Sequence, residues 1–316
     1  MTIRDYITDC IDRLAPIYPA AEAKAIAFRL LEHFTDIPSY KYIAEPDLVI
    51  RSRWSRLSLC SGPGADSPVI PGLTGNLNPA GDSPLLAALD ELVTGRPLQY
   101  VLGFTEFCGH RFKVGEGCLI PRPETEELVS RIIDDLSGTE IGEEPFNILD
   151  LCTGSGCIAW SLAAAFPEAM VYGCDLSDAA LRYACRQRVK VGGAKPIFFT
   201  ADVLSAPPAG LPKFDVIVSN PPYICDSEKA AMRPNVLDFE PAEALFVPDD
   251  DPLVFYRAIA RWAGALLRPA PSGADPQPAG RIYLEINERF GPEVAALFPG
   301  ARVVPDITGR DRFVIL

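Results

Sequence analysis

Hydrophobic positions in the first part of the chain recur every three or four residues, which is the period of an amphipathic α-helix. One such stripe runs from Ile3 to Leu14 and a second from Ala23 to Phe34, and prolines separate and follow them. A third stretch with helical spacing extends from Glu45 to Leu59, where apolar residues alternate with arginines. This spacing predicts a group of amphipathic helices.

The helical pattern is lost between residues 61 and 83, where the composition changes to Ser, Gly, Pro and Asn, as is typical of a surface loop. Helical spacing resumes at Pro84 and ends at Gly95, a residue type that commonly terminates helices. We therefore predict an all-α N-terminal domain over residues 1–95, a small helical bundle with an irregular insertion at 61–83.

Residues 96–123 carry short extended segments and predict a connector. Within the connector, Phe112–Val114 and Cys118–Ile120 flank a glycine-containing turn, which predicts a β-hairpin. The helical period returns from Glu124 to Leu136, at the start of a third region that extends over residues 124–316.

Strands and helices alternate from residue 146 onward, which predicts parallel βαβ units. The predicted strands are 146–151, 169–174, 196–200, 214–219 and 281–286, and the predicted helices between them are 158–166, 177–191 and 252–267. Residues 301–305 and 312–316 predict a final antiparallel hairpin, and residues 270–280 form an insertion rich in Pro and Gly. The fold class predicted for residues 124–316 is therefore α/β.

Composition limits the possible partners and ligands. The formal net charge of −13 describes a surface that repels phosphate backbones, so we expect no direct nucleic-acid binding. The sequence contains no apolar run long enough for a membrane span and no signal-peptide layout, so we expect no membrane partner and a cytoplasmic location. Nine scattered cysteines favour reduced thiols, and with two histidines and no Cys-x-x-Cys pair we expect no metal site.

A predicted buried strand is followed directly by the sequence Asn220-Pro221-Pro222-Tyr223. Neither proline has a backbone N–H, so the strand must end at Asn220. The turn frees the Asn220 side chain and the following carbonyls to face a ligand at the carboxyl edge of the sheet, where α/β enzymes bind substrates. An ordinary proline-terminated turn explains the same residues, so the pattern needs support from its surroundings.

A glycine-rich segment between a predicted strand and a helix is the setting in which a nucleotide moiety contacts backbone N–H groups. The dinucleotide-binding pattern G-x-G-x-x-G is not met, since position 159 is Ala and the residue two before Gly154 is Cys152. Because Gly or Ala occurs at the third position of that pattern, the match is weak. The spacing from Asp150 resembles instead the first motif of class I S-adenosylmethionine methyltransferases, usually D/E-x-G-x-G-x-G. The cofactor-binding residues expected in this segment are Cys152, Thr153, Gly154, Ser155 and Gly156.

Two more acids end predicted strands at the same sheet edge. Asp175 is placed to accept hydrogen bonds from both ribose hydroxyls, and Asp202 from an adenine amino group, with Val203 beside the ring. Taken alone, either acid also fits a helix cap or a solvated loop residue. Together with Asn220 and the glycine-rich segment, these strand ends favour a site for the cofactor S-adenosylmethionine.

The chain resembles one family over nearly its whole length, the N5-glutamine methyltransferases of peptide chain release factors (the PrmC or HemK family). The resemblance rests on segments 96–100, 103–107, 120–126, 150–156, 220–223, 239–241, 251–256 and 309–313. Asn-Pro-Pro-Tyr is shared with N6-adenine and N4-cytosine methyltransferases, but its combination with the Ile-Pro-Arg-Pro-Glu-Thr-Glu of residues 120–126 is more specific. Cys152, Asn287 and the two insertions depart from the family pattern.

The resemblance implies a class I S-adenosylmethionine-dependent methyltransferase fold, with a Rossmann-like seven-stranded sheet, over residues 124–316. It also implies an all-α N-terminal domain that recognises the substrate and a β-hairpin connector. The implied enzyme transfers a methyl group from S-adenosylmethionine to the side-chain amide nitrogen of the glutamine in the Gly-Gly-Gln motif of release factors, which are then the expected partners.

An amide nitrogen is a poor nucleophile, so positioning must supply most of the rate. We expect the Asn220 side-chain oxygen and the Pro221 carbonyl to accept the two amide hydrogens, and Tyr223 to form an aromatic wall. Core packing also explains the aromatic residues, and an exposed turn also explains the Glu240 of Phe-Glu-Pro. The expected catalytic and substrate-binding residues are Asn220, Pro221, Pro222, Tyr223, Phe107 and Glu240.

Three alternatives are compatible with the sequence. A glutamine methyltransferase acting on a ribosomal protein would carry the same residues. An N6-adenine or other nucleic-acid amino-methyltransferase also uses Asn-Pro-Pro-Tyr, although the acidic surface and the lack of a recognisable base-reading domain count against it. A non-catalytic binding module that kept the fold is the third, and the intact site residues argue against it.

Overall fold

The structure is a computed structural model, and it describes residues 1–50, 83–139, 145–269 and 280–316. The predicted insertions at 61–83 and 270–280 lie almost wholly outside this part of the chain. Two compact units are present, Met1–Gly103 with Pro234–Phe239, and Phe104–Arg233 with Glu240–Leu316. None of the helices in the described part is both long and apolar enough to cross a membrane.

The first unit is a helical bundle. Its helices are α1 (Ile3–Leu14), α2 (Ala20–Thr35), α3 (Lys41–Ala44), α4 (Pro84–Val93) and α5 (Leu98–Leu102), with a one-turn helix at Pro234–Leu237. The apolar stripes of α1, α2 and α4 pack into one hydrophobic core, as their spacing predicts. Thr2 and Asp5 close a capping box at the start of α1, each side chain accepting from the other's backbone N–H. The role of this unit in substrate recognition stays a prediction.

The prediction of a helical stretch starting at Glu45 is wrong for residues 45–50. These residues form a turn and an extended segment in which Val49 pairs with Thr2 in an isolated antiparallel bridge. The residue before a proline is pushed out of the helical region, and Glu45, which precedes Pro46, has φ −142° and ψ 59°. The remainder of the stretch, 51–59, lies outside the described residues.

The β-hairpin of the connector lies earlier than the sequence predicts. It consists of β1 (Phe104–Phe107) and β2 (His110–Lys113), rather than Phe112–Val114 and Cys118–Ile120. Its two turn residues, Cys108 and Gly109, have φ of 47° and 74°. Positive φ at both positions is the type I′ geometry that suits a two-residue hairpin. A cysteine seldom adopts it, which is why the sequence pattern did not reveal this turn.

The second unit contains the α/β domain. Its further strands are β3 (Phe146–Leu151), β4 (Ala169–Asp175), β5 (Ile197–Thr200), β6 (Val216–Ser219), β7 (Ile224–Cys225), β8 (Phe246–Val247), β9 (Arg281–Glu285), β10 (Arg302–Pro305) and β11 (Asp311–Ile315). Its helices are α6 (Pro123–Leu136), α7 (Cys157–Ala165), α8 (Asp178–Ala184), α9 (Val254–Leu266) and α10 (Gly291–Ala296). Both faces of the sheet are covered by apolar side chains, which explains the nearly continuous hydrophobic runs of β3 and β6.

Within the described residues the main sheet has seven strands, in the order β10-β11-β9-β6-β3-β4-β5. β11 runs antiparallel to both neighbours, and β9, β6, β3, β4 and β5 are parallel. The chain builds outward from β3 through β4 to β5 and then returns to place β6 on the other side of β3. Open α/β sheets bind ligands at the carboxyl ends of strands beside such a switch point. This is the Rossmann-like fold of class I methyltransferases, as predicted.

Candidate active site

A cavity of about 370 Å³ lies at the carboxyl ends of β3, β4, β5 and β6. Its volume is in the range of small-molecule binding sites. The predicted site residues that line it are Cys152, Gly154, Asp175, Asp202, Val203, Asn220 and Pro222. The structure thus brings together residues that are separated by up to 70 positions in the sequence, all within the second unit.

The glycine-rich loop turns sharply between β3 and α7. Cys152, Gly154 and Gly156 have φ of 58°, 55° and 78°, so Cys152 adopts the left-handed geometry despite its side chain. A Cβ placed on Gly154 would meet no described protein atom within 4 Å, and Gly154 lines the cavity. A ligand can therefore approach the Gly154 backbone closely. Gly156 is packed instead, since a Cβ there would lie 3.0 Å from both Ala184 and Phe198.

Asp150 is hydrogen-bonded to this loop from the protein interior and does not line the cavity. Its Oδ2 accepts hydrogen bonds from the Thr153 hydroxyl at 2.5 Å and from the Ala159 N–H at 3.1 Å. Its Oδ1 is buried without a hydrogen-bond partner among the described residues. Burial raises the pKa of Asp150 from 3.8 to about 7, because ionisation in this environment is unfavourable. Asp150 therefore fixes the path of the loop into α7.

The raised pKa of Asp150 predicts a pH-dependent contribution to stability. The native state binds the proton more tightly than the unfolded chain, so this contribution is present below about pH 4 and is lost as the pH rises to about 7. Wild type should lose stability relative to Asp150→Asn with rising pH, by at most about 1.4 kcal/mol per pH unit. Urea unfolding of both proteins between about pH 5.5 and 8 measures the slope. If the free energy of unfolding of the two proteins changed equally with pH, the raised pKa of Asp150 would be contradicted.

Asp175 connects the end of β4 to the glycine-rich loop. Its Oδ2 accepts from the Gly154 N–H at 2.8 Å, and its Oδ1 accepts from the Ser177 N–H at 2.9 Å. Burial raises the pKa of Asp175, although its hydrogen bonds from backbone N–H groups act in the opposite direction. Each carboxylate oxygen keeps a second lone pair, so Asp175 is able to accept from ribose hydroxyls as well.

Asp202 shapes the turn after β5. Its Oδ1 accepts from the Leu204 N–H at 2.9 Å and its Oδ2 from the Ser205 hydroxyl at 3.2 Å. Val203 is buried beside it and lines the cavity. The predicted contact of Asp202 with an adenine amino group would share these oxygens with the turn.

Asn220 lies where β6 ends, as the two prolines require. Its Nδ2 donates to the Thr125 hydroxyl oxygen at 3.0 Å, and its Oδ1 has no hydrogen-bond partner among the described residues. Pro222 also lines the cavity, whereas Pro221 and Tyr223 do not. The Tyr223 hydroxyl donates to Glu285 Oε1 at 2.9 Å, so the ring is held from its polar end.

Three residues that the sequence analysis did not assign hold the Asn-Pro-Pro-Tyr segment in place. Thr125 contacts Asn220, Glu285 contacts both Thr125 and Tyr223, and Asn287 donates from Nδ2 to the Tyr223 carbonyl at 3.2 Å. Glu285 had a detectable signal, because it is an acid that follows the hydrophobic run Ile282–Leu284 at the carboxyl end of a strand of the same sheet. Thr125 carried no comparable sequence signal, apart from its place in segment 120–126 of the family resemblance.

Phe107 and Glu240 are placed differently from the prediction. Phe107 is fully buried and packs edge to face on Phe112, with ring centroids 5.8 Å apart. Glu240 is buried, accepting from the Ile120 N–H at 3.1 Å through one oxygen and from Arg122 at 2.8 Å through the other. Neither residue lines the cavity, and core packing and an internal ion pair account for their positions. Contact of either with a substrate amide stays a prediction.

The buried ion pair predicts a stability effect at Arg122. Arg122→Met leaves the Glu240 carboxylate buried without its cation and should destabilise the protein by roughly 2–3 kcal/mol, below the value for a fully buried pair because Arg122 is partly exposed. Arg111→Met is the matched control, because Arg111 pairs with Glu106 at 3.7 Å on the surface and should cost under about 1 kcal/mol. Urea unfolding measures both, and equal losses would contradict the prediction.

The charge of the cavity distinguishes between classes of nucleotide cofactor. Three carboxylates line it, from Asp175, Asp202 and Glu243, and its described lining contains no Lys or Arg. A dinucleotide brings an anionic pyrophosphate, whereas S-adenosylmethionine brings a sulfonium, an ammonium group and one carboxylate, which leaves it with a net positive charge. The open backbone of Gly154, the ribose acceptor Asp175 and this acidic lining fit S-adenosylmethionine.

The chain is similar in sequence to known methyltransferases. Residues 135–237 match the Methyltransferase small domain family. A release factor glutamine methyltransferase from Bacteroides thetaiotaomicron is 42% identical over 228 residues, which cover 71% of this chain and 76% of the relative. One from Flavobacterium psychrophilum is 34% identical and covers 99% of this chain and 98% of the relative.

Among solved structures, TrmN from Thermus thermophilus covers 58% of this chain and 47% of its own, at 23% identity and a TM-score of 0.38. The family assignment rests on the sequence relatives, of which the Flavobacterium psychrophilum protein extends over nearly the whole chain at 34% identity. The chain belongs to the release factor glutamine methyltransferase family.

Proposed function

We propose that the protein transfers a methyl group from S-adenosylmethionine to the side-chain amide nitrogen of the glutamine in the Gly-Gly-Gln motif of peptide chain release factors. The observation that carries the proposal is the placement of Asn220. It lines the cavity at the end of β6, its Nδ2 is held by Thr125, and its Oδ1 has no partner among the described residues. The names of the relatives supply the substrate class.

The carboxyl ends of three adjacent strands would hold the cofactor. The Gly154 backbone allows close approach, Asp175 accepts from the ribose hydroxyls, and Asp202 and Val203 lie toward the base. When bound, S-adenosylmethionine supplies an electrophilic methyl group on its sulfonium sulfur. Thr153, Ser155 and Gly156 lie outside the cavity lining and would act by shaping the loop.

The substrate amide would be held by acceptors on the Asn-Pro-Pro-Tyr segment. Its nitrogen lone pair is delocalised into the carbonyl, so orientation toward the methyl donor must lower the barrier, by on the order of 7 kcal/mol or more when both reactants are well placed. Asn220 Oδ1 accepts one amide hydrogen and the Pro221 carbonyl accepts the other. The same two acceptors stabilise the positive charge that develops on nitrogen in the transition state. Pro222 and Tyr223 hold this turn.

The helical first unit is proposed to recognise the release factor. Every site residue described above lies in the second unit, which leaves the first unit without a part in the chemistry. This division supports the interpretation of residues 1–95 as a substrate-recognition domain joined to the catalytic residues 124–316 through 96–123.

The alternatives are another protein substrate or a nucleic acid. A ribosomal-protein glutamine would present the same amide to Asn220. A nucleobase amino group would also fit the two acceptors, but a chain with a net charge of −13 and no Lys or Arg in the described cavity lining is poorly suited to a phosphate backbone.

The test is a methylation assay on purified substrates. The protein and S-adenosylmethionine are incubated separately with a release factor, the same factor with the motif glutamine replaced by asparagine, a ribosomal protein and duplex DNA. We expect a mass increase of one methyl group on the first substrate alone. A mass increase only on the ribosomal protein or the DNA would refute the proposal.

A further inference from the structure

A chain of hydrogen bonds runs from Asn220 into the protein interior and ends on one buried carboxylate. Asn220 Nδ2 donates to Thr125 Oγ1 at 3.0 Å, and the Thr125 hydroxyl donates to Glu285 Oε2 at 2.7 Å. The other oxygen of Glu285 accepts from the Tyr223 hydroxyl at 2.9 Å. Thr125 is 2% exposed and Glu285 is 1% exposed, so water does not compete for these groups.

The order of donors and acceptors in this chain has a single solution when Glu285 is ionised. Burial raises the pKa of Glu285, and the hydrogen bonds from Thr125 and Tyr223 lower it. The carboxylate has no proton to give, so both hydroxyls that face it must donate to it. The Thr125 hydroxyl has one proton, and once that proton points at Glu285 only its lone pairs remain for Asn220. Asn220 must therefore turn its NH₂ group toward Thr125. Its carbonyl oxygen is then left on the opposite side of the amide group.

The orientation of the Asn220 amide decides what the site is able to bind. With Oδ1 available, Asn220 accepts a hydrogen from a substrate amide. With the amide reversed, the NH₂ group would face a substrate N–H donor, and the interaction would be repulsive.

We propose that Glu285 and Thr125 are positioning residues that fix the side-chain amide of Asn220 as a hydrogen-bond acceptor, and that Glu285 simultaneously anchors Tyr223. The proposal rests on the proposed function, because it explains how one residue comes to accept from an amide nitrogen. Glu285 and Thr125 act through Asn220 and make no contact with the substrate.

A merely structural role is a poor account of Glu285. Its neighbours in β9 and just beyond, Leu284 and Ile286, are fully buried and apolar, and a buried carboxylate among them carries a desolvation cost. An apolar residue of similar volume would stabilise this position at least as well. What an apolar residue cannot do is set the direction of two hydroxyl protons.

Glu285→Gln tests the proposal with almost no change in shape. A glutamine amide has one acceptor and one donor side, so it satisfies only one of the two hydroxyl protons. When its NH₂ group faces Thr125, the Thr125 proton turns toward Asn220 and reverses that amide. Thr125→Val removes the connection outright, whereas Thr125→Ser keeps the hydroxyl and should rescue activity.

We expect kcat on a release factor to fall by about 100-fold in Thr125→Val, the size of effect that follows from losing orientation. In Glu285→Gln kcat should fall by a smaller factor, because the glutamine oxygen is able to face Thr125 in part of the molecules. The Kd for S-adenosylmethionine should change by less than about threefold, because the cofactor residues are untouched. Tyr256→Phe is the matched control: it removes the bond from the Tyr256 hydroxyl to the Glu285 backbone carbonyl at 3.1 Å and should leave kcat near wild type. Thermal unfolding of each variant reports folding.

A second measurement reads the amide orientation without turnover. The Asn220 side-chain NH₂ signals in a ¹H–¹⁵N spectrum should be slowed in solvent exchange in wild type and Thr125→Ser, and exchange faster in Thr125→Val and Glu285→Gln. The proposal is overturned if Glu285→Gln and Thr125→Val both keep near-wild-type kcat. It is also overturned if Thr125→Ser or Tyr256→Phe loses as much kcat as those two variants do. If wild type fails to methylate the release factor, the proposed function fails, and the exchange data alone decide the role of Glu285.

Discussion

Asn220→Ala should lose methyl transfer while it keeps the cofactor. The substitution removes the Oδ1 that accepts an amide hydrogen and stabilises charge on the nitrogen, and we expect kcat to fall by about 100- to 1,000-fold, as for loss of one preorganised hydrogen-bonding group in other enzymes. Cofactor affinity should change little, because Gly154 lies in the loop after β3 and Asp175 at the end of β4. Methylation of a release factor followed by mass, with calorimetric titration of S-adenosylmethionine, measures the two effects separately.

The matched control for this substitution is Asn147→Ala. Asn147 also donates one side-chain hydrogen bond, from Nδ2 to the Lys213 carbonyl at 2.9 Å, but near the amino end of β3, opposite the cavity. Its loss should leave kcat unchanged. If Asn220→Ala retained near-wild-type turnover, the acceptor role of Asn220 would be wrong.

Much of the catalytic fold was predictable because its signals are local. The β-branched run ending at Asn220 and the acid ending at Asp175 each mark the end of a buried strand, and parallel strands bring such ends to one sheet edge. The type I′ turn at Cys108 was not predictable, because its geometry depends on strand pairing rather than on the preference of a cysteine.

The contacts that orient the site were not predictable, because they join residues far apart in the sequence. Thr125 and Glu285 are separated by 160 positions, and only the packing of α6 against β9 brings their side chains together. For the same reason the partners of Glu240 were not predictable. An acid in a Phe-Glu-Pro turn does not reveal that the N–H it meets belongs to Ile120.

Sequence and structure contribute different evidence for the identity of the cofactor. The glycine spacing placed a nucleotide-like ligand after β3, but only Cys152, the Ala at position 159 and the spacing from Asp150 separated the two cofactor classes. The cavity adds the charge of its lining, in which the charged side chains among the described residues are all carboxylates. A cationic donor is favoured by that lining and an anionic pyrophosphate is not.

The two glycines of the loop offer a paired prediction, because they share backbone geometry and differ in surroundings. Both have positive φ, so an alanine at either position carries a similar conformational cost of roughly 1–2 kcal/mol. Gly154→Ala places a methyl group where no described protein atom lies within 4 Å, at the cavity wall. It should weaken S-adenosylmethionine binding by about tenfold or more, since the backbone no longer approaches the ligand.

Gly156→Ala should instead act mainly on stability. Its methyl group would lie 3.0 Å from Ala184 and Phe198 and 3.1 Å from Trp160, and overpacking of this kind costs roughly 1–3 kcal/mol in addition to the backbone cost. Each variant therefore controls for the other: calorimetric titration should single out Gly154→Ala, and urea unfolding should single out Gly156→Ala. If the two variants lost affinity and stability in equal proportion, backbone conformation alone would explain both glycines, and the close approach of the cofactor to Gly154 would be refuted.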